Sequence, residues 1–152
     1  MGGDLTPPSP NGTDNIRLTI GSRLELLSMV HALITQISRQ YELSEDFENA
    51  LLIAVIEAGT NAIQHGNCFA DDKCVEFEFK VGAGEIVIAV EDFGTGFDPK
   101  QVENPTDSYA LLNPHGRGLF LMRELMDDVS FDVRADHGTR VLLKKSRVNA
   151  TA

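Results

Sequence analysis

The sequence predicts a two-layer α/β sandwich, a mixed and mostly antiparallel sheet with its helices packed on one face. Three observations predict it. Segments of apolar alternation come in pairs joined by short Gly- and Asp-rich turns, which sets neighbouring strands antiparallel. Segments of helical periodicity each carry one apolar stripe, so each needs a single surface to pack on. A length of 152 residues, 42% hydrophobic and 24% charged, suits one domain around one core.

Residues 1–14 are rich in Gly, Pro, Ser and Asp and lack the apolar surface to order themselves, so they read as a flexible tail. Ile16, Leu18 and Ile20 alternate with polar neighbours and predict a strand. Ser22 is a candidate helix N-cap, followed by Leu24, Leu27, Val30, Ile34 and Ile37 at helical spacing. Ser44 is a second N-cap, with Glu45 and Asp46 in the first turn facing the positive end of the helix dipole. Phe47, Leu51, Ala54, Ala58 and Ala62 form the stripe of that helix, which ends near Gly66. Val75, Phe77 and Phe79, then Ile86, Ile88 and Val90, predict a hairpin turned at Gly82-Ala83-Gly84. A stretch from about 93 to 116, long for a compact domain, predicts a functional loop or lid. Leu119, Met122, Leu125 and Met126 mark a short helix, and Phe131 and Val133 begin a last hairpin, turned at Asp136-His137-Gly138 and completed by Val141 and Leu143. The domain is expected over 15–146, with a second tail at 147–152.

The net charge of −10 disfavours non-specific binding to nucleic acid or a membrane surface, both of which are anionic. It leaves room for a nucleotide, because a few backbone N–H groups and one metal ion neutralise a phosphate locally. Cys68 and Cys74 form no CxxC pair and read as reduced thiols of a cytosolic protein. No stretch has the length of a membrane span.

Four segments carry candidate chemistry. Glu57 and Asn61 are four apart and share one helical face. A carboxylate there can take a proton from a nucleophile, and an amide oxygen is a hard neutral ligand for Mg²⁺. The same pair also suits a solvent-facing polar stripe. Asp92 ends an apolar strand, where its carboxylate could accept a hydrogen bond from an exocyclic amine, and Gly94 and Gly96 let a ligand approach the backbone. That segment also suits a plain turn. Gly116, Arg117 and Gly118 open the third helix, offering free N–H groups and a guanidinium to an anion, or simply capping it. Thr139, after Gly138, could offer a hydroxyl to a base or serve the hairpin turn alone. His65, His115 and His137 lack metal-ligand spacing. There is no GxxxxGK[ST], no GxGxxG and no protein-kinase set of HRD with DFG, the Asp92-Phe93-Gly94 triplet standing without an HRD.

Taken in order, EAGTNAIQHGN, EDFGTGFDP, HGRGLFLMRELMDDV and HGTRVLL resemble the GHKL ATPase superfamily, the group of gyrase, histidine kinases and MutL. More closely they resemble its small bacterial branch, the anti-sigma-factor serine kinases of the RsbW and SpoIIAB type. The resemblance covers about residues 16–145. It implies the Bergerat ATP-binding fold, with ATP and Mg²⁺ bound. It implies Glu57 as general base, Asn61 as the Mg²⁺ ligand and Asp92 on the adenine amine. Gly94, Gly96, Gly116, Arg117 and Gly118 would shape the phosphate side, and Thr139 would lie near the adenine. Glu57 favours the serine kinases over the histidine kinases, which typically lack an acid there. No arginine of the first helix matches the family's partner-contact arginine in register; Arg23 lies near it.

The implied function is a cytoplasmic serine/threonine protein kinase that phosphorylates an anti-anti-sigma (STAS) protein and sequesters a sigma factor, as a homodimer. The alternatives are an ATP-dependent sequestering module without significant phosphotransfer, and a stand-alone ATPase subunit for another regulatory partner.

Overall fold

The computed structural model describes residues 12–94, 114–134 and 138–147, with only the backbone of 114–117. Most of the expected N-terminal tail, the expected lid and the turn at Asp136-His137 lie outside the described residues, as does Gly96.

The described elements run β1 (Asp14–Gly21), α1 (Leu27–Gln40), α2 (Glu45–Asn61), β2 (Cys74–Val81), β3 (Glu85–Glu91), α3 (Pro114–Leu125), β4 (Asp128–Arg134) and β5 (Gly138–Ser146). The sheet has five strands in the order β1-β2-β3-β5-β4, and every pairing is antiparallel. The expected alternation sets the register. Ile16, Leu18 and Ile20 stand opposite Phe79, Phe77 and Val75, and Ile88 and Val90 stand opposite Phe79 and Phe77. One face of the sheet therefore carries the apolar residues, and the other carries Arg17, Glu76, Glu78, Lys80 and Arg140. Arg17 pairs there with Glu78 at 2.8 Å.

The helices cover the apolar face. Val30, Ile34, Leu51, Val55 and Met122 join Phe77, Phe79, Ile88 and Leu143 in one buried cluster. Complete burial of such a side chain contributes about 1.5–3 kcal/mol before chain entropy is counted. Gly59, an awkward residue inside a helix, sits where this packing is tightest. A Cβ there would fall 2.8 Å from Leu27 Cδ2 and 3.0 Å from Phe77 Cζ. Among the described residues, no helix is long and apolar enough to cross a membrane.

Helix starts follow the sequence in one case and depart from it in two. Ser44 caps α2 as expected, its hydroxyl accepting from Phe47 N–H at 3.2 Å. Ser22 caps nothing. Its hydroxyl donates to the Lys73 carbonyl at 2.6 Å, and a short 3₁₀ turn, Leu24–Leu26, leads into α1. The third helix begins at Pro114, so Gly116 and Gly118 lie inside it. Proline suits a first helical position, where no N–H is needed and its fixed φ is already helical.

The end of the sheet remote from the helix α2 terminus is closed by Tyr41. Its hydroxyl bonds the Asp14 carboxylate, and the Arg147 guanidinium lies over its ring, 5.8 Å from the centroid. Burial, then the hydrogen bond to Asp14, pushes the Tyr41 phenol up to about 12.

Candidate functional site

Helix α2 does not end in an ordinary turn. Residues Ala62–Gly66 continue it as a π turn, closed by Asn67 N–H on the Ala62 carbonyl at 2.8 Å. Such wider turns occur mostly where a site needs backbone displaced from the helical track. Here the displaced backbone is Gly66, which abuts the Asp92 carboxylate at the end of β3. A Cβ on Gly66 would overlap that carboxylate, and a Cβ on Gly94 would overlap the Gly66 carbonyl. Two backbone segments thus converge with no room for a side chain at Gly66 or Gly94, which is the close approach that glycine permits.

Asp92 is the centre of this convergence. It is 5% exposed. Its Oδ1 accepts from Gly94 N–H at 3.1 Å and from Thr139 N–H at 3.2 Å, and its own N–H donates to the Thr139 carbonyl at 3.0 Å. Burial raises its carboxyl above the usual carboxylate range. The two backbone donors and Lys73 pull the other way, while Glu91 adds to the rise. Thr139 is 2% exposed, and its Oγ1 has no hydrogen-bond partner among the described residues.

Asp92 and Thr139 line one pocket with Asn61 and Gly66. The walls are Ala58, Val90, Leu119, Met122, Phe131 and Val141. A mostly apolar cleft with a few converging polar groups is the usual form of a small-molecule site. A buried carboxylate beside a hydroxyl with nothing to bond suits a flat apolar ligand that carries an N–H donor on its edge. Adenine is such a ligand.

The residues expected on the phosphate side meet at a second contact. Helix α3 crosses α2 at Gly118, where a Cβ would fall 2.8 Å from Glu57 Oε2 and 3.5 Å from Asn61 Nδ2. Glu57 and Asn61 are both half-buried, one turn apart on α2. Asn61 thereby borders the Asp92 pocket and lies one turn from Glu57. Of the remaining expected residues, Gly116 and Arg117 fall in the first turn of α3 by backbone alone, and Gly96 is not described. Among the described residues, no group of three His, Cys, Asp or Glu is placed to hold a metal ion. A magnesium ion taking one amide oxygen from Asn61 and the rest from phosphates and water is compatible with that donor set.

Sequence reasoning missed Asn67. It is 2% exposed and hydrogen-bonded on three sides. Its Nδ2 donates to Ser22 Oγ and to the Cys74 carbonyl, both at 2.9 Å, and its Oδ1 accepts from Phe93 N–H at 2.8 Å. The only signal in the sequence was a polar residue between a helix end and a turn, which commonly marks solvent-exposed chain.

Comparison with known proteins agrees with this fold. A family model described as the histidine kinase-like ATPase domain matches residues 20–145. A protein of Bacillus pumilus (strain SAFR-032), the serine-protein kinase RsbW, is 34% identical over 141 residues, covering 87% of this chain and 85% of that protein. The anti-sigma F factor of Clostridium botulinum (strain Eklund 17B / Type B) is 35% identical over 94 residues, 60% of this chain and 66% of that protein. Among solved structures, the RsbU and RsbW domains of a Mycobacterium tuberculosis protein superpose with a TM-score of 0.61 at 16% identity, over 87% of this chain and 31% of that one. At that identity the likeness concerns the fold alone.

Proposed function

The chain belongs to the histidine kinase-like ATPase domain family, and on that premise we propose that it is an ATP-dependent serine/threonine protein kinase of the anti-sigma type. The single observation that carries the kinase reading is the close approach of Gly118 to Glu57 and Asn61, the latter lining the Asp92 pocket. It gathers an acid, an amide and the opening turns of a helix on the side where a triphosphate would leave the base site. The named relatives, a serine-protein kinase and an anti-sigma factor, support the same reading.

In this account Asp92 accepts the adenine amine, and the Thr139 hydroxyl finds its missing partner on the base or on a water beside it. Gly94, with Gly96, lets the backbone come close to the nucleotide. The first turn of α3, with Gly116 and Arg117, would offer N–H groups and a cation to the phosphates, and Gly118 would shape that side. Mg²⁺ would supply neutralisation of the triphosphate charge, with Asn61 as its protein ligand. Glu57 takes the proton of the incoming serine or threonine hydroxyl as its oxygen bonds to the γ-phosphorus and the bond from that phosphorus to the β-bridging oxygen breaks, leaving ADP.

The substrate is a STAS-type anti-anti-sigma protein, and the second partner is a sigma factor held without phosphorylation. Both are cytoplasmic proteins, and the reading puts this chain with them, as a homodimer. The test is capture of partners from cytoplasmic extract with and without Mg-ATP, followed by transfer from γ-labelled ATP to each captured protein. A captured STAS protein that becomes labelled on serine or threonine is the expected result. Capture with no labelled protein would overturn the kinase reading.

A further inference from the structure

The Asp92 carboxylate can read a base only if the strand end that carries it stays at a fixed height above the π turn. One side of that strand end is held by Thr139, through Asp92 N–H and Oδ1. The other side is held by a single side chain from elsewhere, the Asn67 amide oxygen on Phe93 N–H at 2.8 Å. Phe93 is the link between Asp92 and Gly94, whose N–H completes the carboxylate's hydrogen bonds. Asn67 is in turn anchored through its amide nitrogen to Ser22 Oγ and the Cys74 carbonyl, and Ser22 to the Lys73 carbonyl. The loop that presents Asp92 is thus tied through one buried amide to the start of β2 and the entry to α1.

We propose that Asn67 is a positioning residue for base selection, setting the preference for ATP over triphosphates whose base carries a carbonyl where adenine carries its amine. The inference rests on the reading of Asp92 as the adenine acceptor. An amide suits the task because it donates and accepts at once. The donor end fixes the side chain to the Cys74 carbonyl at the start of β2 and to the Ser22 hydroxyl, and the acceptor end passes that position to Phe93. Ser22 stabilises the anchor without touching the loop.

The test compares ATP and ITP by calorimetry, well below each protein's melting midpoint, in the parent and in Asn67→Ala, Ser22→Ala and Asp92→Asn. The parent is expected to prefer ATP. Asn67→Ala is expected to cut that preference by about tenfold, the scale of one hydrogen bond weakened, with the response to Mg²⁺ kept. Ser22→Ala is expected to lower the melting midpoint and keep the preference. Asn67→Ala with a lower midpoint and an unchanged preference would overturn the proposal, because the residue would then be structural only. Asp92→Asn separates the two levels. If it abolishes the preference while Asn67→Ala does not, the positioning role alone fails. If it leaves the preference intact, the base-site reading fails and the inference falls with it. Should Asn67→Ala not fold, Asn67→Asp keeps the acceptor for Phe93 N–H. That variant loses the donor that anchors on Ser22 and Cys74, so a reduced preference is the expected result there, and an unchanged preference counts against the tie.

Discussion

Gly118 and Glu57 touch across the α2–α3 crossing: a Cβ at position 118 would come within 2.8 Å of Glu57 Oε2. The atom met is the free end of a flexible side chain, so the fold can accommodate a methyl group by turning the carboxylate away. Gly118→Ala is therefore expected to leave stability unchanged or raise it by up to about 1 kcal/mol, the helix propensity difference between the two residues. Phosphotransfer is expected to fall by about 10- to 100-fold, because the displaced group is the proposed base. Thermal melting and transfer assays on the same preparation check both halves.

Asp92→Asn is expected to separate binding from stability. The raised carboxyl means that the folded chain holds the Asp92 proton more tightly than the unfolded chain does. Ionising this residue therefore costs stability in the nucleotide-free protein. That cost is absent below the unfolded value near 3.8, appears as pH rises toward the folded value, and is complete above it. At neutral pH the asparagine variant should melt no lower than the parent, and the difference should vanish in acid. Its ATP affinity should nonetheless fall by about 1.5–3 kcal/mol, the worth of a hydrogen bond to a charged acceptor. Calorimetric melting across pH, run beside nucleotide titration, reads both.

Asn61→Ala should weaken ATP binding mainly in the presence of magnesium. The parent's affinity should depend steeply on Mg²⁺, and the variant's should not, since the amide oxygen is the protein's contribution to the ion. Identical magnesium titrations of the two proteins would remove Asn61 as a ligand.

Gly59→Ala tests the core rather than the site. Alanine gains about 1 kcal/mol of helix propensity. Its methyl group would press on Leu27 and on the buried ring of Phe77, and overpacking of this kind costs about 1–3 kcal/mol. A net loss of about 1 kcal/mol in denaturant melts is expected, with ATP affinity unchanged.

What was legible in the sequence was whatever is written in local periodicity. Val75, Phe77, Phe79, Ile86, Ile88 and Val90 announce their hairpin by alternation, and Val30, Ile34 and Ile37 announce α1 by spacing. Ser44 is readable because capping is a contact over three residues. Glu57, Asn61, Asp92, Gly118 and Thr139 could be named from short motifs; in the fold Asn61, Asp92 and Thr139 line one pocket, and Gly118 lies against Glu57 and Asn61. The π turn was not readable, since a bond from Asn67 to Ala62 leaves no mark on apolar spacing. Ser22 and Asn67 look like cap and turn residues, yet their work is done with Lys73, Cys74 and Phe93. Those partners are distant in the chain, and only the assembled sheet supplies them. The described part of α3 runs from Pro114, so Gly116, on which the sequence opens that helix, lies two residues inside it.

If Glu57 is the base of a protein kinase, single-turnover transfer from γ-labelled ATP to the STAS partner depends on its carboxylate. With Glu57→Ala, transfer is predicted to fall by about 10²–10⁴-fold, the usual worth of a positioned base. ATP affinity should stay close to the parent's, because Asp92 and Asn61 are untouched. Equal transfer rates in parent and variant would contradict the account, and a parent that transfers to no partner would leave an ATP-binding module in place of a kinase.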